Sequence, residues 1–337
     1  MRKIALLIVS SLLVLKLQAQ DTFSIVAIDT LTGEVGSAGA SCLGVIFPLA
    51  PNGAQVICDV IPGIGAVHTQ AQYLAANQQN AHTRMLTGDT AQQIINWLKL
   101  NDAQGNPAVR QYGIVKFKNG SAESASFTGA NCFNYKSHIT GPNYSIQGNI
   151  LLGQQILDSM EARFINSTGP LADKLMAALQ GANVVGADTR CASSNTSSLS
   201  SFIRVARPAD SLGSYYLDLY MSYPNTTGTI YAVDPIDSLQ TLYNLWQSST
   251  GTSSLTSNSK LLKVFKKGNS VIFDLSLLQN HQLLTVKIID LKGQEIYISK
   301  VTSEKEEWLP KMEISNQIFL FQILKDSEII ATGKFVY

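Results

Sequence analysis

The run SSTGTSSLTSNSK, Ser248 to Lys260, is the feature that most restricts how this chain can fold. Nearly every side chain in it is small and polar, so it buries too little surface to offset the entropy of ordering it, and it reads as a linker. A chain of 337 residues is also longer than a single small core requires. The expected division is a signal peptide over 1–20, a large domain over 21–247, the linker over 248–260 and a small domain over 261–337.

Arg2 and Lys3 precede the apolar run Ile4 to Leu15, and the polar stretch Lys16 to Gln20 follows, with Ala19 at a cleavage point. This is the order of an export signal. The apolar run is shorter than the roughly 20 residues that cross a bilayer, so no transmembrane anchor is expected in the mature protein. Lys and Arg number 25 against 24 acidic residues, and they are dispersed, which argues against nucleic acid and against a polybasic membrane patch. The expected location is outside the cell or on its surface, reached through the periplasm. Export also lets Cys42, Cys58, Cys132 and Cys191 oxidise. Of three possible pairings, Cys42 with Cys58 and Cys132 with Cys191 is the expected one. There is no C-x-x-C pair, and His68, His82, His138 and His281 are scattered, so neither a metal site nor a cofactor is expected.

In the large domain, TFSIVAID and EVGSAGASC are β-rich runs joined by TLTG, a hairpin turn. QVICDVIPGIGAVHTQ reads as strand, turn, strand. A helix is expected over Gln72 to Leu86, and another after Asp89 or Thr90, either of which can cap it. RQYGIVKF and ESASFTG make a second hairpin around Lys118 to Ser121. Helices follow over Gly153 to Phe164 and Leu171 to Leu179, the latter with Pro170 at its start. SSLSSFIRVAR and SYYLDLYMSY return to strand, and SLQTLYNLW closes as helix. The layout is α+β with a substantial sheet. The small domain alternates throughout, with turns at Asp290 to Gly293 and Lys325 to Ser327, and suits a β-sandwich of about seven short strands.

The fragments FSIVAID, AVHTQA, FTGANC, YSIQGNIL, GPLADKL and GADTRC, in this order, resemble the bacterial domain of unknown function 1028 family over about Thr22 to Arg207. The resemblance implies the fold of the N-terminal nucleophile hydrolase superfamily, a four-layer αββα sandwich of two stacked antiparallel sheets between helices. It leaves the reaction open, because fold does not give function. Thr22 matches the position at which family members begin Thr-Phe-Ser. In the superfamily such a residue attacks with its side chain and uses its own α-amine, whose pKa is about 8, as base. Here cleavage after Ala19 leaves Gln20 and Asp21 ahead of Thr22, so a further trimming step is needed before that amine exists. The other reading of Thr22 is a threonine at a strand's edge.

The same resemblance singles out Thr69 and Gln70 in HTQA, and Gln147, Gly148 and Asn149 in QGN, as donors to a developing oxyanion. The bland reading makes them satisfiers of turn backbone. Asp188 and Arg190 in GADTRC are either a pair that orients the site or a structural pair beside Cys191. Asp29 belongs to a hairpin turn. No lysine occurs between Lys16 and Lys99, so the proteasome-like variant has no cation to hold its nucleophile's pKa down, and Arg84 lies in an expected helix. Two functions follow. One is a secreted amide-bond hydrolase with Thr22 as nucleophile, acting on a small-molecule or peptide substrate. The other is a catalytically silent protein of the same fold that binds a surface ligand or partner.

GNSVIFDLS, TVKIIDLKGQEIY and the final GKFVY are similar to the C-terminal sorting domain of the type IX secretion system of Bacteroidetes. That similarity implies the secretion machinery as a partner for residues 261–337. Asn316 and Gln317 stand where that family has a glycine before the aromatic residue.

Overall fold

A computed structural model describes residues 22–226, 228–250, 262–267, 270–276, 284–290, 295–309, 318–326 and 328–336. The expected signal peptide, linker positions 251–260, and Asn316 and Gln317 lie outside the described residues.

The chain opens with the hairpin β1 (Thr22–Ile28) and β2 (Val35–Ser41), whose turn needs the left-handed Gly33 at φ 76°. β3 (Cys58–Ile61) and β4 (Gly65–Ala71) follow, then α1 (Ala75–Met85) and α2 (Ala91–Leu100). Of the two expected caps Thr90 is the one used: its hydroxyl accepts from Gln93 N–H, and Gln93 returns a bond to Thr90 N–H in a capping box. α1 starts three residues later than expected because Gln72 is held to the sheet, its N–H donating to Val109 and its carbonyl accepting from Arg110. β5 (Arg110–Lys118) and β6 (Ser121–Thr128) turn at Asn119 and Gly120, both with positive φ.

β7 (Ser137–Thr140) and β8 (Tyr144–Gly148) form a hairpin with no counterpart among the expected strands. Its inward residues are Ser145 and Gln147, alternating with Tyr144 and Ile146, but the run is only five residues long and β7 only four, too short for the period of two to stand out. α3 (Gln154–Asn166), α4 (Leu171–Gly181), β9 (Ser200–Ala206), β10 (Leu217–Ser222) and α5 (Pro235–Thr250) complete this region. β10 is shorter than the apolar run: the Tyr216 N–H donates to Asp210 Oδ2, and Tyr215 and Tyr216 lie against the guanidinium groups of Arg204 and Arg207. α5 continues through Ser248 to Thr250, the first three residues of the expected linker.

Two antiparallel sheets result, one in the order β10-β9-β2-β1-β8-β7 and one in the order β3-β4-β5-β6. Alternation along each strand sends side chains to opposite faces. Phe23, Ile25 and Ala27 of β1 pack with Leu157, Leu175 and Leu239 from α3, α4 and α5. Val67, Tyr112 and Ile114 of the smaller sheet pack with Met85, Ile94 and Leu98 from α1 and α2. Val26, Val60, Val115 and Phe202 meet between the sheets.

Cys42 pairs with Cys191, across 149 residues, and not with Cys58. The expected pairing is overturned by layer placement. Cys58 stands on β3, opposite His68 and inside the inter-sheet space, while Cys132 is buried after β6 with its thiol donating to the Arg110 carbonyl. β11 (Lys263–Lys267), β12 (Ser270–Asp274), β13 (Leu284–Asp290), β14 (Glu295–Lys300), β15 (Lys305–Trp308), β16 (Ile318–Lys325) and β17 (Glu328–Val336) form the β-rich C-terminal region. They pair as β11-β12-β15 and β14-β13-β16-β17 around Phe273, Val286, Ile288, Trp308 and Phe321. Among the described residues no helix is long and apolar enough to cross a membrane.

Candidate functional site

At the end of the inter-sheet space where β1 begins, the inward positions change from apolar to polar. β1 contributes Thr22 and Ser24, β2 Ser37, β4 His68 and Gln70, β5 Gln111, and β8 Ser145 and Gln147, with Asn149 just beyond; all are 1 % exposed or less. In an interior of low dielectric each polar atom must find a partner. The Thr22 carbonyl accepts from Asn149 N–H at 3.1 Å and Gln70 Nε2 at 3.2 Å. Ser24 Oγ donates to Gln70 Oε1 at 2.6 Å and accepts from Gln147 Nε2 at 2.6 Å. Gln147 Oε1 accepts from Ser145 Oγ at 2.8 Å. Gln147 sits opposite Gly113, where any Cβ would overlap its amide oxygen, so this wall requires glycine.

These bonds settle the state of His68. Gln147 donates Nε2 to the Ser24 carbonyl, which can only accept, so the same nitrogen donates to His68 Nδ1 at 3.1 Å. Nδ1 therefore carries the lone pair, and Nε2–H donates to Ser37 Oγ at 2.5 Å. Burial pulls the imidazole down to about 3, so the ring is neutral at ordinary pH. With Nε2–H donating, His68 does not act as a base toward Ser37 in this arrangement. Beside them burial pushes the Cys58 thiol up to about 11, against the opposing charge of Arg204 and a bond from Ser37, so it is not a thiolate nucleophile.

Among the residues singled out from the sequence, Thr22, Gln70, Gln147 and Asn149 come together here. Thr69 does not: its side chain turns to the opposite face of β4, with a buried hydroxyl that has no hydrogen-bond partner. Its strand neighbours Gln70 and His68 occupy inward positions, and alternation puts the residue between them outward. Asp188 and Arg190 stand beside the disulfide. Asp188 accepts from Arg190 Nη2 and from Cys42 N–H, both at 2.8 Å, and so ties the end of β2 to the Cys191 turn. Asp29 accepts from Leu31 N–H at 2.8 Å in the β1–β2 turn. Arg84 lies on α1, paired with Asp89 and over the Trp97 ring, away from Thr22.

Sequence reasoning missed Ser24, Ser37, His68, Gln111 and Ser145. The available signal was a polar residue at an inward position of an otherwise apolar alternation, as Ser24 is in TFSIVAID and Gln111 in RQYGIVKF. A surface cavity of about 460 Å³ lies at the far end of β1, lined by Ile28, Asp29, Leu31, Phe164 and Lys174 among others, and holds none of these groups. Among the described residues no group of three or more His, Cys, Asp or Glu gathers to hold a metal ion.

Residues 22–226 match a family described as "Family of unknown function (DUF1028)". The crystal structure of protein SPO2555 from Silicibacter pomeroyi, itself assigned to DUF1028, superposes with a TM-score of 0.53 at 20 % identity, covering 68 % of this chain and 91 % of that one. Domains 3 and 4 of rat CD4 cover 67 % of this chain and 77 % of their own at 7 % identity, with a TM-score of 0.18, too low to carry an argument. No curated protein matches the chain.

Proposed function

The chain belongs to the DUF1028 family, and on that premise we propose that it is a secreted amide-bond hydrolase of the N-terminal nucleophile type, with Thr22 as nucleophile. The observation that carries the reading is the setting of Thr22. It opens β1, its carbonyl is pinned by Asn149 and Gln70, and the groups around it are neutral hydroxyls and carboxamides. On this reading the helix, sheet, sheet, helix layering is the αββα sandwich of that superfamily, and residues 21–247 are its extent.

Removal of the residues ahead of Thr22 supplies the base, an α-amine with a pKa of about 8. The Thr22 hydroxyl oxygen then attacks the substrate's amide carbon while its proton passes to the α-amine. That proton goes on to the amide nitrogen as the carbon–nitrogen bond breaks, leaving an ester on Thr22. Water, deprotonated by the same amine, attacks the ester and releases the acid. Gln70, Gln147 and Asn149 supply side-chain donors and their ordering in place of a cation, in keeping with the absence of lysine between Lys16 and Lys99. Arg190, with Asp188, flanks this end of the fold. Residues 261–337 act as the sorting domain for type IX secretion, which carries the chain through the periplasm to the surface.

A chain that begins at Thr22 is the material for the test, with a β-lactone as probe. The threonine oxygen opens the lactone ring to form an ester, and no atoms leave, so the mass rises by one lactone. The expected result is one adduct on Thr22, kept by Thr22→Ser and lost by Thr22→Ala or when Asp21 precedes. No adduct on the trimmed chain would favour a silent ligand-binding protein, a reading to which the complete burial of Thr22 gives support.

A further inference from the structure

Gln111 is absent from every motif that carries the family resemblance, yet it is the point on which the amides around Thr22 converge. It is fully buried on β5. Its Nε2 lies 2.9 Å from the Gly148 carbonyl and 3.0 Å from the Ser137 carbonyl, with Thr128 Oγ1 at 2.9 Å. Carbonyl oxygens only accept, so this end of the amide is the NH₂ and the other end is the oxygen. Gln111 Oε1 then receives Gln70 Nε2 at 2.8 Å and Asn149 Nδ2 at 3.1 Å. Both neighbours are thereby forced to present their NH₂ groups inward. For Gln70 the same nitrogen reaches the Thr22 carbonyl, and its oxygen is left to accept from Ser24. For Asn149 the consequence is an Oδ1 that is buried without any hydrogen-bond partner.

A buried acceptor left open is unfavourable, because the bond it made to water is not replaced. Flipping Asn149 would bring its oxygen against Gln111 Oε1, two acceptors face to face, and Gln111 cannot flip to relieve them without facing two carbonyls. The orientation of all three amides is therefore set by main-chain carbonyls on β7 and β8. We infer that Gln111 is the positioning residue of this site: it fixes Gln70 as a donor to the Thr22 main chain and holds Asn149 Oδ1 open as an acceptor for an N–H brought into the site. The functional meaning rests on the reading of Thr22 as nucleophile; the orientation does not.

The decisive measurement is hydrogen exchange of side-chain amide protons by ¹⁵N NMR on the described fold with its full chain, comparing the unsubstituted protein with Gln111→Leu and Gln111→Glu at pH 5. Protection at Gln70 Nε2 and Asn149 Nδ2 is expected to fall at least about ten-fold in Gln111→Leu while backbone amides of β1 and β4 keep theirs. Gln111→Glu, protonated at that pH by burial, retains an oxygen for both neighbours and a hydroxyl for a carbonyl, and is expected to keep the protection. It also serves if the leucine variant does not fold. Unchanged protection in Gln111→Leu, or equal loss in Gln111→Glu with the backbone intact, would overturn the inference. The same variants in the chain beginning at Thr22 separate it from the parent reading: absence of any lactone adduct in the unsubstituted chain sinks the nucleophile, whereas an adduct that forms at an unchanged rate in Gln111→Leu sinks the positioning role.

Discussion

The space between the two sheets has two ends built on the same strands by opposite rules. At one end β1 supplies Val26 and Ile28, β4 Ala66 and β5 Val115, which meet Val60 and Ala206 in a dry apolar contact. At the other, the same three strands supply Ser24, then His68 and Gln70, then Gln111. The apolar end gains about 25 cal/mol for each Å² removed from water and is indifferent to direction. The polar end gains little net energy per bond, about 0.5–1.5 kcal/mol, but every bond has a donor and an acceptor, so one wrong orientation leaves a buried atom unpaired. Area holds the sheets together, and direction gives a single arrangement of groups around Thr22.

The comparison breaks most readily at the boundary. Phe202 is fully buried and lies edge-on to His68, centroids 5.9 Å apart. Phe202→Ala is expected to cost about 3–5 kcal/mol in urea unfolding by leaving a cavity between the ends. If the loss is under about 1 kcal/mol, the apolar end does not carry the stability assigned to it. In the polar end, Gln147→Ala removes the partner of Ser24, His68 and Ser145 together and is expected to cost about 1–3 kcal/mol, with an unchanged m-value.

His68 gives a pH test of the same contrast. Its folded value, about 3, lies below the ordinary 6.5, so between these limits the unfolded chain binds a proton that the folded one refuses. Stability from this residue is fully present above about 6.5 and is lost as pH falls towards 3, at about 1.4 kcal/mol per pH unit. Denaturation of the unsubstituted protein and of His68→Gln at pH 7 and pH 5 should show a gap between them that changes by about 2 kcal/mol. A gap that stays constant would mean that His68 is reached by solvent. The smallest effect belongs to the rim. Ser126 bonds Thr140 Oγ1 and Ser145 Oγ where water can replace it, so Ser126→Ala should change stability by less than about 0.5 kcal/mol. A loss as large as that of Gln147→Ala would erase the distinction between rim and interior.

The hairpins β1–β2 and β5–β6, the capped start of α2 and the Pro170 start of α4 were legible because their causes are local: a period of two or 3.6, a left-handed glycine, a capping hydroxyl. The β7–β8 hairpin was not, since its strands are only four and five residues long and their alternation is too short a run to stand out. Thr22, Gln70, Gln147 and Asn149 were found through their motifs, but Thr69 came with them although the period of two places it on the other face.

What the sequence by itself determined is the elements outside the β7–β8 hairpin, their alternating faces and the apolar stripes that stack them, because these depend on residues a few positions apart. Only the tertiary structure decided that Cys42 meets Cys191 and that Cys58 lies between the sheets. It also decided that Ser24 reaches Gln70 across 46 residues and that Gln111 reaches Asn149 across 38. Such partners are chosen by the register of one strand on the next and the stacking of one sheet on the other. A shift of one residue in the register of a strand sends its inward amides to the opposite face, and no local preference of the chain carries that information.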